Sequence, residues 1–179
     1  MKESTGPRKR RRSIRLRGFD YGQEGAYFVT ICTANRKAYF GSIVNNQVAL
    51  SPFGNIAKIE WTRTASLRSN VILDEFVVMP DHVHGIVCIT ENRNHLISTE
   101  FTTTAQTLGS VVRGWKSAVT KKVRLLQGDP TFKLWQRGYW EHVVRNERDL
   151  EELREYIRMN PLQWRLKQEA LREEMVLRS

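Results

Sequence analysis

Two apolar runs rich in β-branched residues, VILDEFVVM at 71–79 and HVHGIVCI at 82–89, are parted by Pro80-Asp81 alone. So short a break leaves room for a turn and little else, so the runs are expected as antiparallel neighbours in one sheet. A third run of the same kind, GAYFVTICT at 25–33, begins at Gly25. Tyr39–Phe40 and Gln47–Leu50 read as a short hairpin turning at Asn45-Asn46. Ser51 and Pro52 are suited to the N-cap and first position of a helix running to about Leu67, with Ile56, Ile59, Trp61 and Leu67 towards its apolar side. A polar stretch over 91–104 reads as an exposed loop.

From Ala105 to Leu126, Leu108, Val111, Val112, Trp115, Val119 and Val123 recur at three-to-four spacing, a helical stripe that Gly128-Asp129-Pro130 ends. Residues 131–145 read as strand with a break near Gly138. Asn146 then caps a helix over 147–159 that Pro161 is expected to stop. The order is strand, helix, strand, strand, helix, strand, then one more helix. This is the split β-α-β order of an α+β, ferredoxin-like domain: an antiparallel sheet, helices on one face and the other face free for a substrate. The expected division is a disordered basic arm over 1–17, one domain over 18–164, and a charged helical tail over 165–179.

No apolar run approaches the roughly 18–20 residues that cross a bilayer, and no apolar stretch follows the charged N-terminus. Neither a membrane partner nor a secretory signal is expected, and the cytoplasm is the default compartment. Cys32 and Cys88 have no CxxC neighbour and read as buried thiols.

Charge narrows the partner. Twenty-nine Lys plus Arg against nineteen Asp plus Glu leave a net charge of +10, which favours a polyanion. The excess is concentrated in RKRRRSIRLR at 8–17, where Arg10, Arg11, Arg12, Arg15 and Arg17 are candidate phosphate contacts. Arg113, Lys116, Lys121 and Lys122 are further candidates, although each could equally be a solvated charge. The arm has no apolar face for a lipid surface, so nucleic acid is the favoured partner.

His82 and His84 flank Val83 on a strand. Side chains alternate with period two, so both imidazoles project from one face while Val83 turns to the core. Two nitrogen ligands on a rigid element suit a divalent metal, though two surface histidines on a sheet would show the same spacing. Asp81 would point to the opposite face. His95 falls in the polar loop and reads as solvated; His142, beside aromatics, reads as a core histidine or a substrate contact. Tyr156 and Asn160, four apart, share a face near the end of the last helix. Spacing alone does not separate that tyrosine from one that simply packs.

Together the segments YFVTICTANRKAYFG, VVMPDHVHGIV, WKSAVTKK and WQRGYWEHVVRNERDLEELREYIRMNPLQW resemble the single-tyrosine HUH transposases, most nearly the REP-associated tyrosine transposases. The resemblance runs from about Arg15 to Trp164, in the family's order. It implies that His82 and His84 are paired metal ligands, that Tyr156 is the nucleophile, and that Asn160 completes the metal site. An amide oxygen suits Mg²⁺ or Mn²⁺.

The implied activity is nicking and rejoining of single-stranded DNA, bearing a hairpin, through a 5′-phosphotyrosine. The covalent link conserves the phosphoester for a later 3′-hydroxyl. Water, the metal or a nearby Lys could take the tyrosine proton. Trp135, Tyr139 and Trp140 could stack unpaired bases or simply pack. Rival readings are a non-catalytic single-strand-binding module and a metallohydrolase that uses water. A homodimer and a monomer both remain open.

Overall fold

The computed structural model describes residues 24–90 and 107–178. The basic arm, with Arg10, Arg11, Arg12, Arg15 and Arg17, and His95 in the polar loop lie outside the described residues. The strands are β1 (Gly25–Cys32), β2 (Gly41–Val44), β3 (Gln47–Leu50), β4 (Val71–Val78), β5 (His82–Ile89) and β6 (Trp140–Val143). The helices are α1 (Pro52–Ser66), α2 (Leu108–Gln127) and α3 (Glu147–Leu177). Among the described residues no helix is long and apolar enough to cross a membrane.

β4, β5, β1 and β6 form one sheet in that order, every pair antiparallel. This is the ferredoxin-like arrangement that the order of elements predicts. β2 and β3 form a separate hairpin whose turn residues, Asn45 and Asn46, both take positive φ, as a tight two-residue turn demands. The first strand of that hairpin starts at Gly41, not at Tyr39, because Phe40 is fully buried and its carbonyl accepts the Ser51 N–H. Ser51 caps α1 as its chemistry predicts, its hydroxyl accepting from Gly54 N at 3.1 Å.

The two faces of the sheet differ. α1 and α2 cover one of them, burying Val29, Ile31, Val83 and Val87 beneath Trp61, Trp115 and Val119. All six apolar positions of the α2 stripe are buried. On α1 the buried side is carried by Phe53, Ala57 and Trp61, whereas Ile59 and Leu67 are exposed, so the expected apolar side was drawn too wide. Gly85 lets Trp61 lie flat on β5: a Cβ there would come within 2.4 Å of the indole.

The opposite face is not bare. α3 crosses it, seating Ile157 against Phe28 and Ile86. The helix does not stop at Pro161 but continues unbroken to Leu177, so the expected boundary at 164 falls inside it. A proline forfeits one i→i−4 hydrogen bond. Here Ile157 and Asn160 are buried just before it, and Trp164 stands 5.6 Å from the His82 ring just after it, so contacts on both sides hold the helical path. The expected strand over 131–145 shrinks to β6. The chain before it is irregular, with Leu134 buried, Trp135 packed on the core, and the Gln136 and Gly138 carbonyls held by Lys116. Cys32 and Cys88 are free thiols and only partly buried.

Gly85→Ala is expected to lower unfolding free energy by about 1–3 kcal/mol, the usual cost of overpacking a filled core. Urea unfolding measures it, and an unchanged midpoint would show that Trp61 has room to yield.

Candidate active site

β5 opens with His82 and His84 on the face that α3 crosses, while Val83 between them is fully buried on the other. Both histidines are nearly closed to solvent, at 4% and 5% exposure. Their Nε2 atoms face each other 2.9 Å apart. The outer nitrogens are held from behind. His82 Nδ1 lies 2.5 Å from Asp81 Oδ1, and His84 Nδ1 lies 2.9 Å from Thr30 Oγ1. A carboxylate can only accept, so the His82 Nδ1–H donates to Asp81 and fixes the direction of the ring.

Asp81 does not point to the opposite face, as strand alternation predicts. It precedes the first residue of β5, so the pleat does not govern its direction. Its side chain turns back, one oxygen on His82 and the other 3.2 Å from Arg36 Nε. Both carboxylate oxygens of Asp81 are thus engaged, one by a histidine and one by an arginine.

Burial, chiefly, and then the nearby charges of His82 and Arg36 push His84 down to about 3. The imidazole therefore stays neutral through physiological pH, the state a metal ligand requires.

Tyr156 comes from α3, its ring 5.3 Å from that of His84 and 6.0 Å from Phe28. Its side chain is 42% exposed, while Asn160, one turn further on, is buried at 6%. All four residues line one cleft of about 750 Å³ between α3 and the sheet. The donor set fits a divalent cation: two imidazoles with converging nitrogens on the sheet, and an amide on the helix that faces them. Among the described residues no group of three or more His, Cys, Asp or Glu is placed to hold a metal; the oxygen-bearing side chains beside the histidines in this cleft include the amides of Asn160 and Gln163.

The α2 cations lie elsewhere. Arg113, Lys116, Lys121 and Lys122 sit on the helix behind the sheet, away from the histidines. Lys116 Nζ donates to the Gln136 and Gly138 carbonyls at 2.9 and 3.0 Å, and burial pushes its pKa down. Lys122 pairs with the buried carboxylate of Glu60. Arg113 and Lys121 are exposed. His142 is neither core nor cleft: half-buried, it meets Asp149 Oδ2 at 2.9 Å and ties β6 to the start of α3.

Sequence reading missed several lining residues, among them Thr30, Arg36, Gln163, Trp164 and Lys167. The last three continue the Tyr156–Asn160 face at helical spacing, a signal hidden by taking Pro161 as a stop. Arg36 gave no signal, since a turn after β1 brings it in.

α3 is clamped to β4 at a register shift between Leu73 and Phe76. There Arg154 forms a two-pronged bond to Asp74, at 3.0 and 2.6 Å, and Arg158 Nε meets Glu75 at 2.9 Å. The tyrosine and the histidines thus meet within one chain.

The arrangement defines a class: a ferredoxin-like α+β domain with a paired-histidine strand and a tyrosine helix across it. No family model matches the chain. It is 40% identical over 163 residues to an uncharacterised protein of Haemophilus influenzae, covering 86% of this chain and 89% of the relative. A second Haemophilus influenzae protein, provisionally named a REP-associated tyrosine transposase, is 26% identical over 145 residues, 80% of this chain and 73% of its own. The solved structure of a REP-associated tyrosine transposase bound to a REP hairpin shares the fold, with a TM-score of 0.59 at 22% identity over 84% of this chain and 73% of that one. The chain belongs to one family with the first Haemophilus protein and is similar to REP-associated tyrosine transposases.

Hydrogen bonds from Arg154, first, hold the Asp74 carboxyl below the usual carboxylate range. A depressed carboxylate contributes stability above its unfolded value of about 3.9, lost as pH falls through the folded value. Asp74→Asn is therefore expected to lower Tm at pH 7 and to flatten the acid limb of Tm against pH below about 4. A limb as steep as that of the parent protein would rule the clamp out as its source.

Proposed function

We propose that the protein is a metal-dependent single-stranded DNA nicking and strand-transfer enzyme that uses Tyr156 as its nucleophile. The observation that carries this reading is the convergence of Tyr156, His82, His84 and Asn160 on one cleft of one chain. Relatedness to REP-associated tyrosine transposases supports a transposase-type activity. The hairpin bound by the solved relative supports a substrate whose single strand flanks a hairpin.

In this reading His82, His84 and Asn160 would hold Mg²⁺ or Mn²⁺. Such an ion supplies, when bound, positive charge against the scissile phosphate. The Tyr156 hydroxyl loses its proton and its oxygen forms a bond to phosphorus. The bond from phosphorus to the 3′ oxygen breaks, and that oxygen leaves as a 3′-hydroxyl after taking up a proton. The 5′ phosphate stays on the tyrosine until an incoming 3′-hydroxyl reverses the exchange and frees the phenol. Asp81 fixes the tautomer of His82, and Thr30 holds the ring of His84. Burial keeps His84 neutral, so neither proton binding nor ring rotation competes with ligation. With every part supplied by one chain, a monomer suffices.

Tyr156→Phe is expected to retain binding of a hairpin-bearing oligonucleotide and to lose the denaturation-resistant protein–DNA adduct. EDTA, or His82→Ala with His84→Ala, is expected to stop cleavage, with Mn²⁺ restoring only the EDTA-treated protein. Adduct formation by the phenylalanine variant would remove the nucleophile assignment.

Asp81→Asn is expected to weaken Mn²⁺ binding by about 10–100-fold, the usual effect of losing a carboxylate behind a ligating histidine. Electron paramagnetic resonance titration reads it, and unchanged affinity would deny Asp81 that role. Mixing the Tyr156→Phe protein with the double-alanine protein is expected to restore nothing, because each defect stays in its own site. Recovered cleavage would mean that tyrosines cross between chains.

A further inference from the structure

The chain has five tryptophans, and their division between core and cleft is informative. Trp61 and Trp115 are buried beneath α1 and α2. Trp135 packs on the same core, its indole N–H donating to the Lys116 carbonyl and the Thr120 hydroxyl. The other two, Trp140 and Trp164, both line the cleft that holds Tyr156 and the histidine pair.

They enter it from different elements. Trp140 stands on the edge strand β6, in the cross-strand row that runs His84, Thr30, Trp140. It meets Phe28 edge-on at 5.8 Å and keeps 42% of its surface exposed. Trp164 comes from the part of α3 beyond Pro161, its ring 5.6 Å from that of His82. Tyr156, Asn160 and Trp164 follow one another at successive turns of that helix. Trp140 is exposed and Trp164 half-buried, so both indoles offer ring surface to whatever enters the cleft. Two cations, Arg36 and Lys167, share the lining. Arg36 is aimed by its ion pair with Asp81. Aromatic faces with cations between them are the chemistry of a single-stranded nucleic acid, bases on the rings and phosphates on the charges.

We propose that Trp140 and Trp164 are a two-sided stacking grip for unpaired nucleobases, one on either side of the phosphate presented to Tyr156. This deepens the reading of the cleft as a DNA site and rests on it. It also makes a selection that phosphate contacts cannot make. A base offers its π-face to a tryptophan only when it is out of a helical stack, so the grip admits single strands and leaves duplex on the rim.

The test is equilibrium binding, by fluorescence anisotropy, of a labelled 20-nucleotide oligothymidine and of a labelled abasic deoxyribose-phosphate chain of the same length. The full chain is used with Tyr156→Phe, so that no adduct forms, and with Trp140→Ala, Trp164→Ala or Trp164→Phe added. Each alanine variant is expected to bind oligothymidine about tenfold more weakly, the order of one lost base–aromatic stack. Binding of the abasic chain is expected to stay unchanged, and Trp164→Phe to recover most of the loss. Unchanged oligothymidine binding, or an equal loss on both chains, overturns the grip.

If Trp164→Ala fails to fold, Trp164→Phe and Trp140→Ala carry the test, since Trp140 lies outside the core. The strand-transfer reading is judged separately, by adduct formation in protein that keeps Tyr156. Adducts without base-dependent loss remove the grip alone, and base-dependent loss without adducts removes the enzyme alone.

Discussion

Ile157 seats against Phe28 and Ile86, and that apolar contact decides where everything else on α3 falls. Burying an isoleucine side chain is worth about 1.5–3 kcal/mol, which holds the helix on the sheet. Arg154 on Asp74 and Arg158 on Glu75 choose the register, because a helix rolled by one residue would lose both. With Ile157 facing the sheet, Tyr156 is turned towards His84 and Asn160 towards the cleft floor.

β5 makes the complementary contribution. It is flanked by β4 and β1 and covered on one face by α1 and α2, so its pleat cannot relax. Two imidazoles two residues apart are then held with their Nε2 atoms 2.9 Å from each other, and the helix only has to meet them. Trp61 over Gly85 presses on the back of the same strand, next to His84, so core packing and site geometry share one element.

Features set by local alternation or periodicity were legible in the residues. The face shared by His82 and His84, the buried stripe of α2, the Ser51 cap and the order of the sheet follow from period two, period 3.6 and capping chemistry. Features that depend on what a residue meets across space were not. Asp81 lies one residue before the strand, where alternation no longer applies. Pro161 carries a local stop signal that contacts on either side of it override. Ile59 has the right hydrophobicity but the wrong angle around α1. Lys116 and Lys122 look like free charges until the Gln136 and Gly138 carbonyls and the Glu60 carboxylate are seen beside them. The pairing of Tyr156 with the histidines came from family resemblance, since nothing in the spacing links positions more than seventy apart.

The passage of α3 through Pro161 has a mechanical consequence. Tyr156, Asn160 and Trp164 ride one rod, while His82, His84, Thr30 and Trp140 ride one sheet. The cleft therefore has one wall from the helix and one from the sheet, and the two meet at the seat of Ile157. Any roll of the helix that draws the phenol away from the histidines also swings the Trp164 indole away from His82, because no joint lies between them. On the proposed reading, a movement of the helix that displaced the phenol would displace the indole with it, so grip and nucleophile would act in step.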